Sequence, residues 1–162
     1  MKKILVMLVL MMGFVSCDMI GDFYIGSNAS GHTLYYSESF EDYNSISDIY
    51  KYLRANISYR KDDVENFADP KVVIDRGYGD CEDYCILFMN IAYYSLGIKA
   101  DLAMIDANQN SRSIVDGGTV NHAVVYYDGV YYDPTGFGVL TGNPSIGFIY
   151  TFDEVFEWVT MK

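Results

Sequence analysis

Apolar positions in the middle of the chain repeat every three or four residues, which is the spacing of a helix that buries one face. They are Cys81, Tyr84, Cys85, Phe88, Met89 and Ala92. Gly77 and Gly79 form a turn before this stretch, and Gly97 follows Leu96, where a helix commonly ends. The pattern therefore predicts a central helix that begins at a cysteine.

Helical spacing also occurs on both sides of the central helix. One such set comprises Ile46, Ile49, Tyr50, Leu53 and Ile57. It predicts a helix with Ser45 or Ser47 as its N-cap. A second helix or a turn is expected over residues 64–74, with Pro70 interrupting it. Residues 152–158 predict a short helix that covers the core.

Runs rich in Val and Tyr predict strands in the C-terminal half. They cover residues 98–107, 120–127 and 130–135. The last two flank Asp128-Gly129, a dipeptide favoured in two-residue hairpin turns. The polar segments after the first and third of these runs are expected to be loops. Helices followed by antiparallel strands predict an α+β fold.

The N-terminal part of the chain has a different pattern. Residues 1–16 place two lysines before an apolar run that is too short to span a bilayer comfortably, which is typical of a secretion signal. The run ends in Phe14-Val15-Ser16-Cys17, which resembles a bacterial lipobox and so implies that Cys17 carries lipid. We then expect residues 17–44 to be a tether and residues 45–162 to be the domain. A plain transmembrane anchor is the alternative.

The composition limits the class of protein. With 162 residues, of which 51% are apolar, the chain can form one domain with a buried core and an anchor. Its 22 acidic and 11 basic residues give a net charge of −11, which argues against nucleic acid as a partner. We expect a monomer that uses no cofactor and no metal.

The cysteines point to a reactive thiol. With Cys17 lipidated, only Cys81 and Cys85 remain, and Cβ atoms four apart on a helix are about 5–6 Å apart. A disulfide needs about 3.5–4.5 Å. We expect Cys85 to be a small buried apolar residue. Cys81 would lie at a helix N-terminus, where the positive dipole end favours the thiolate and free amides can hold an oxyanion.

His122 and Asp133 are the candidate partners of this thiol. If Asp128-Gly129 is a two-residue turn, both side chains share one face as diagonal neighbours, about 7–8 Å apart. A carboxylate at that distance can orient an imidazole that takes the thiol proton. The sequence thus predicts a catalytic triad. Each residue alone also has a structural explanation: a core cysteine, a packed histidine and a turn aspartate.

Acidic residues surround Cys81 at the predicted helix start. Asp80 occupies the N-cap position, and Glu82 and Asp83 lie in the first turn, where carboxylates complement the helix dipole. A cation site formed by these acids with Cys81 is the alternative. We do not expect a functional metal.

Three motifs resemble the transglutaminase-like superfamily, a group of papain-like cysteine enzymes. They are Gly79-Asp80-Cys81-Glu82-Asp83-Tyr84, Asn121-His122-Ala123-Val124-Val125 and Tyr132-Asp133-Pro134-Thr135. The first motif is similar to that of bacterial transglutaminase-like cysteine proteinases. The resemblance implies N-terminal helices and a cysteine helix packed on a small antiparallel sheet. It also implies that Cys81 is the nucleophile, His122 the general base and acid, and Asp133 the orienting carboxylate.

The resemblance also calls for a donor upstream of Cys81 that completes an oxyanion hole. No Trp or Gln lies shortly upstream, so Tyr78, Tyr59 and Asn56 are the candidates. Members of the group act as peptidases, amide transferases, deamidases or deglycosylating enzymes, and some have lost activity. The resemblance therefore does not fix the reaction.

These observations lead to one functional expectation and two alternatives. We expect a lipid-anchored enzyme of the cell envelope, facing the periplasm or the exterior. It would act on amide bonds of proteins or peptides through a thioester, as a peptidase, an amidase or a transglutaminase. The first alternative is a non-catalytic module that binds a polypeptide or a cell-wall component in the same cleft. The second is a structural envelope lipoprotein.

Overall fold

The computed structural model describes residues 23–25, 34–62, 67–110 and 120–160. Its helices are α1 (Ile46–Asn56), α2 (Pro70–Arg76), α3 (Cys81–Leu96) and α4 (Phe152–Thr160), with a short 3₁₀ helix (Glu38–Asp42) before α1. Its strands are β1 (Phe23–Ile25), β2 (Leu34–Tyr36), β3 (Ser58–Tyr59), β4 (Tyr78–Gly79), β5 (Asp101–Asn110), β6 (His122–Tyr127), β7 (Val130–Asp133), β8 (Gly138–Val139) and β9 (Pro144–Tyr150). This mixture of helices with a small antiparallel sheet confirms the predicted α+β fold.

Strands β5 to β9 form one antiparallel sheet in the order β8-β7-β6-β5-β9. Helix α3 packs against β6 and β5, and there Ala123 and Val125 join the main core. The opposite face carries a second apolar cluster formed by Ala103, Ile105 and Val124. Alternate residues of β6 therefore point to a helix-covered face and to a face that α3 does not cover.

Helix α3 is enclosed rather than buried on one face. Every residue from Glu82 to Ala92 is buried, because α1, α2 and the 3₁₀ helix pack on α3 as well as the sheet. The sequence predicted a single apolar stripe. Full enclosure explains why polar residues of the first turn also lose contact with water.

The helix ends follow local sequence chemistry. Helix α1 begins after Ser45, whose hydroxyl accepts a hydrogen bond from the backbone N–H of Asp48 at 3.3 Å. Pro70 does not interrupt the second helix, as the sequence suggested, but begins it. It lies in the first turn, after the N-cap Asp69, where its missing N–H leaves no hydrogen bond unmade.

The β6–β7 hairpin has the predicted turn. Asp128 and Gly129 adopt φ angles of 50° and 79°, as a two-residue type I′ turn requires. Tyr127 pairs with Val130, which is the predicted register. His122 and Asp133 consequently leave the hairpin on the same side of the sheet.

Residues 34–42 belong to the domain, although the sequence assigned residues 17–44 to a tether. Tyr35 and Phe40 are 2% and 1% exposed. The side chain of Asn90 accepts from the Tyr35 N–H at 3.0 Å and donates to the Tyr35 carbonyl at 2.7 Å. The boundary at residue 45 is therefore wrong. Asn90 lies far along the chain, so no local pattern reveals this anchor.

The sheet extends beyond the predicted strands. Residues 108–110 continue β5 instead of starting a loop, and β8 lies within the predicted loop over residues 136–144. Strand β9 was not predicted at all. It contains Pro144 and Gly147, which weaken a strand pattern but are tolerated there because β9 is an edge strand.

Several predictions fall outside the described residues. They concern the signal over residues 1–16, the lipidation of Cys17, the start of the second helix, and most of the loop after β5. Within the ranges that the structure describes, no helix combines the length and the apolar character needed to cross a membrane.

Candidate active site

Cys81 is the first residue of α3 and is half-buried. Its Sγ donates a hydrogen bond to Oε2 of Glu82 at 3.2 Å. The backbone N–H of Ala123, at the start of β6, also donates toward the sulfur. The start of α3 and the start of β6 therefore meet at this thiol.

His122 directly precedes Ala123 and pairs with Asp133. Its Nε2 lies 3.2 Å from Oδ2 of Asp133, and both side chains are about one-fifth exposed, at 19% and 18%. The hairpin register creates this contact, because it carries both residues to one face at the end of the ladder. With Nε2 engaged, Nδ1 is the nitrogen that remains to exchange a proton.

Asp133 is held in place by the turn that follows it. Its Oδ1 accepts from the Thr135 hydroxyl at 2.7 Å and from the backbone N–H groups of Thr135 and Gly136, each at 3.0 Å. Burial by itself would raise the pKa of Asp133. The hydrogen bonds from His122, Gly136 and Thr135 outweigh burial and lower the pKa to about 2. Asp133 is thus a fixed carboxylate, ionised at neutral pH.

The thiol is in a different electrostatic state from the one predicted. Burial, together with the charge and hydrogen bond of Glu82, raises the pKa of Cys81 to about 12, and the Ala123 N–H opposes them only in part. The sequence predicted that the helix N-terminus would favour the thiolate. In this structure burial and an adjacent carboxyl dominate, so Cys81 is a neutral thiol.

No hydrogen bond joins Sγ of Cys81 to the imidazole of His122 in the described part of the chain. The thiol is directed to Glu82 instead. The structure therefore contains the His122–Asp133 pair, and it places Cys81 beside Ala123, the residue that follows His122. A proton transfer between sulfur and ring needs a rotation of the thiol.

A cleft of about 600 Å³ opens beside the histidine and aspartate. Its lining residues include His122, Asp133, Asp106, Asn121 and Thr135, but Cys81 is not among them. Ile105 and Leu140 also line the cleft and belong to the cluster on the face that α3 does not cover. The cleft thus contains the candidate base and its carboxylate but not the candidate nucleophile.

The three oxyanion candidates lie in separate environments. The ring of Tyr78 lies between the guanidinium groups of Arg60 and Arg76, at 4.7 and 4.9 Å. Tyr59 is 58% exposed. The side-chain amide of Asn56 donates to the Tyr52 carbonyl at 2.8 Å, within its own helix. A role in an oxyanion hole stays a prediction for each, and the amides at the start of α3 remain candidates.

The sequence placed acids around Cys81 but did not predict their burial. Glu82 is 2% exposed and accepts a hydrogen bond from the thiol, whereas the sequence assigned it to the helix dipole, with a cation site as the alternative. Asp83 is fully buried, forms an ion pair with Arg76, and accepts from the Ala68 N–H at 3.1 Å. Burial raises the pKa of Asp83 to about 6, although the Ala68 hydrogen bond and the Arg76 charge oppose it.

Gly136 is a further site residue that the sequence analysis missed. A Cβ at this position would lie 2.9 Å from Oδ2 of Asp133, the oxygen that faces His122. Only glycine leaves that space open. The signal was present in the Asp-Pro-Thr-Gly order of residues 133–136, in which a glycine follows an aspartate-initiated turn.

These features define a class of protein: an α+β domain in which a helix beginning at a cysteine packs on an antiparallel sheet that carries a His–Asp pair. A family model described as the transglutaminase-like superfamily matches residues 35–137. The chain belongs to the transglutaminase-like superfamily, whose members are generally cysteine-based enzymes. The match begins at the buried Tyr35, in agreement with the corrected domain boundary. A comparison with curated proteins gave no match.

Proposed function

We propose that this protein is a thiol enzyme that acts on amide bonds of proteins or peptides. Cys81 is the nucleophile, His122 the general base and acid, and Asp133 the carboxylate that orients the imidazole. One observation carries the proposal. The hydrogen bond between His122 and Asp133 forms at the start of β6, and the next residue, Ala123, donates toward the sulfur of Cys81.

The reaction follows from the state of each group. Cys81 holds its proton at rest, so its Sγ–H rotates from Glu82 to Nδ1 of His122 as the sulfur attacks the carbonyl carbon. The proton passes to the imidazole, and Asp133 stabilises the imidazolium through Nε2. The imidazolium then protonates the leaving amine and a thioester remains.

Water completes the cycle by the reverse proton path. His122 removes a proton from water, the hydroxide adds to the thioester, and the thiol of Cys81 leaves with the proton from the imidazolium. The acid product is released. An amine in place of water would give transfer instead of hydrolysis, as in a transglutaminase. We favour hydrolysis because water is the abundant acceptor outside the cell.

The cellular setting is part of the proposal. We infer that Cys17 carries lipid and that the domain faces the periplasm or the exterior, on the basis of the apolar N-terminal run and the lipobox-like motif. The substrate is a protein or peptide. The net charge of −11 disfavours nucleic acid. We expect the domain to act as a monomer.

A thiol-directed electrophile tests this function. Full-length wild type, Cys81→Ala and the matched control Cys85→Ala are treated near neutral pH, and peptide mass spectrometry locates the label. Wild type and Cys85→Ala should carry the label at position 81, because Cys85 is completely buried. Cleavage of an amide substrate should vanish only in Cys81→Ala. Equal total labelling of wild type and Cys81→Ala contradicts a reactive role for Cys81.

A binding module is the second candidate function. It is favoured by the cleft, which holds His122 and Asp133 but not Cys81, and by the thiol's hydrogen bond to Glu82. Equal capture of a polypeptide by wild type and Cys81→Ala, with no product formed, supports this function instead.

A further inference from the structure

Two acids flank Cys81 and are buried together. Asp80 and Glu82 are 6% and 2% exposed, and their carboxyl groups are close enough to form a hydrogen bond when one of them carries a proton. Oδ1 of Asp80 and Oε1 of Glu82 receive no hydrogen bond from any donor in the described part of the chain. A buried oxygen without a donor is costly, so these two oxygens need a proton or a cation.

The other two carboxyl oxygens of Asp80 and Glu82 each accept a hydrogen bond. Oδ2 of Asp80 accepts from the Asp62 backbone N–H at 3.3 Å, and Oε2 of Glu82 accepts from the thiol of Cys81 at 3.2 Å. The nearby cation Arg76 forms its ion pair with Asp83. Two ionised carboxylates buried side by side would repel each other.

We propose that Asp80 and Glu82 share one proton and that this acid pair holds Cys81 as a thiol in the resting protein. Glu82 donates its O–H to the carboxylate of Asp80 and accepts the Sγ–H of Cys81 through its carbonyl oxygen. Each of these two hydrogen bonds then has one donor and one acceptor. Glu82 is a positioning residue. Its role in turnover rests on the proposed function, whereas the shared proton does not.

The surroundings of the pair support this protonation. Titratable or charged groups on the neighbouring elements are Cys81, Asp83 and Cys85 on α3, Arg76 on α2, Asp62 before it, and His122 and Asp133 on the sheet. Arg76 forms an ion pair with Asp83, and His122 is hydrogen-bonded to Asp133. Burial, together with the hydrogen bond to Asp80, raises the pKa of Glu82 to about 8. Glu82 therefore keeps its proton at neutral pH and loses it above about pH 8.

Glu82→Gln tests the shared proton directly, because glutamine imitates a protonated glutamate in shape and donors. The measurement is the alkylation rate of Cys81 by iodoacetamide from pH 6 to 10 in full-length protein, located by peptide mass. Below pH 8 the variant should match wild type within about twofold. Above pH 8 it should react faster by about tenfold, because wild type gains a charge beside the sulfur that raises the thiol pKa by about one unit. The substitution Glu38→Gln, at an exposed position, should leave the alkylation rate unchanged both below and above pH 8.

Two results would overturn the proposal. If Glu82 is ionised at neutral pH, Glu82→Gln removes a charge beside the thiol, and Cys81 reacts about tenfold faster already at pH 7. If a cation lies between the acids, EDTA changes the alkylation rate of wild type but not of Glu82→Gln. Neither assay needs a substrate. A result that contradicts the shared proton therefore does not bear on the proposed function, which the labelling experiment tests separately.

An infrared spectrum of the wild-type protein gives a second measurement, independent of whether the variant folds. A buried carboxylic acid has a C=O band that an ionised carboxylate lacks. We expect such a band at pH 7 and its loss at pH 9. No difference between these spectra contradicts the shared proton.

Discussion

The two ends of the candidate site differ in how they are built. The end with His122 and Asp133 is a hairpin with a local turn, is partly open to water, and carries an ionised carboxylate. The end with Cys81 and Glu82 is the start of an enclosed helix, where burial raises the pKa of both side chains. In the proposed function, the base is thus already paired with its carboxylate, whereas the nucleophile is hydrogen-bonded to Glu82. Activation would then depend on freeing the thiol.

The largest effect is expected at the hairpin end. His122→Ala removes the base and should lower kcat/KM for amide cleavage by about 10²- to 10⁴-fold. The measurement is kcat/KM from initial rates, with Glu38→Gln as an exposed control. Glu82→Gln should retain activity at neutral pH. An equal loss of kcat/KM in His122→Ala and Glu82→Gln would contradict the difference between the two ends.

The next effect concerns the stability of the helix end. Arg76→Ala leaves the buried carboxyl of Asp83 without its cation and should lower the free energy of unfolding by about 3 kcal/mol or more. The control Lys51→Ala breaks a surface ion pair with Asp48 whose lysine is 73% exposed, and should cost less than about 1 kcal/mol. Urea denaturation measures both. A small loss in Arg76→Ala would contradict the burial of Asp83.

A smaller effect is expected from crowding Asp133. Gly136→Ala introduces a Cβ at 2.9 Å from Oδ2 of Asp133, so the carboxylate must move from His122. A shift of this kind should reduce kcat about tenfold or more. In the control Gly138→Ala, the Cβ would meet its nearest neighbour only at 4.0 Å. Equal activities for the two variants would show that the position of Asp133 is not critical.

A separate prediction concerns the pH dependence of stability. Burial, with Asp80, raises the folded pKa of Glu82 from 4.5 to about 8, so the folded state binds the proton more tightly than the unfolded state. This contribution is complete below about pH 4.5 and is lost as pH rises to about 8. Stability of wild type should fall relative to that of Glu82→Gln across this window. Thermal melts measure the difference, and parallel curves would contradict a raised pKa.

The sequence predicted the hairpin end better than the helix end for a physical reason. A two-residue turn and strand alternation fix the positions of His122 and Asp133 from local residues alone. Burial of Glu82 depends instead on segments distant in the sequence that pack around α3. Local spacing indicates that α3 is a helix but not how many elements cover it, so the charge states of its first turn could not be predicted.

The proposed function requires that Cys81 attacks a carbonyl with the aid of His122. Intact-mass spectrometry of full-length protein, quenched in acid after brief exposure to a p-nitrophenyl ester of an acylated amino acid, detects this attack. We expect one acyl group on Cys81 in wild type, no acyl group at this position in Cys81→Ala, and acylation at least about 10²-fold slower in His122→Ala. Acylation of Cys81 at the same rate in His122→Ala, or no acylation of wild type, would contradict the proposed function.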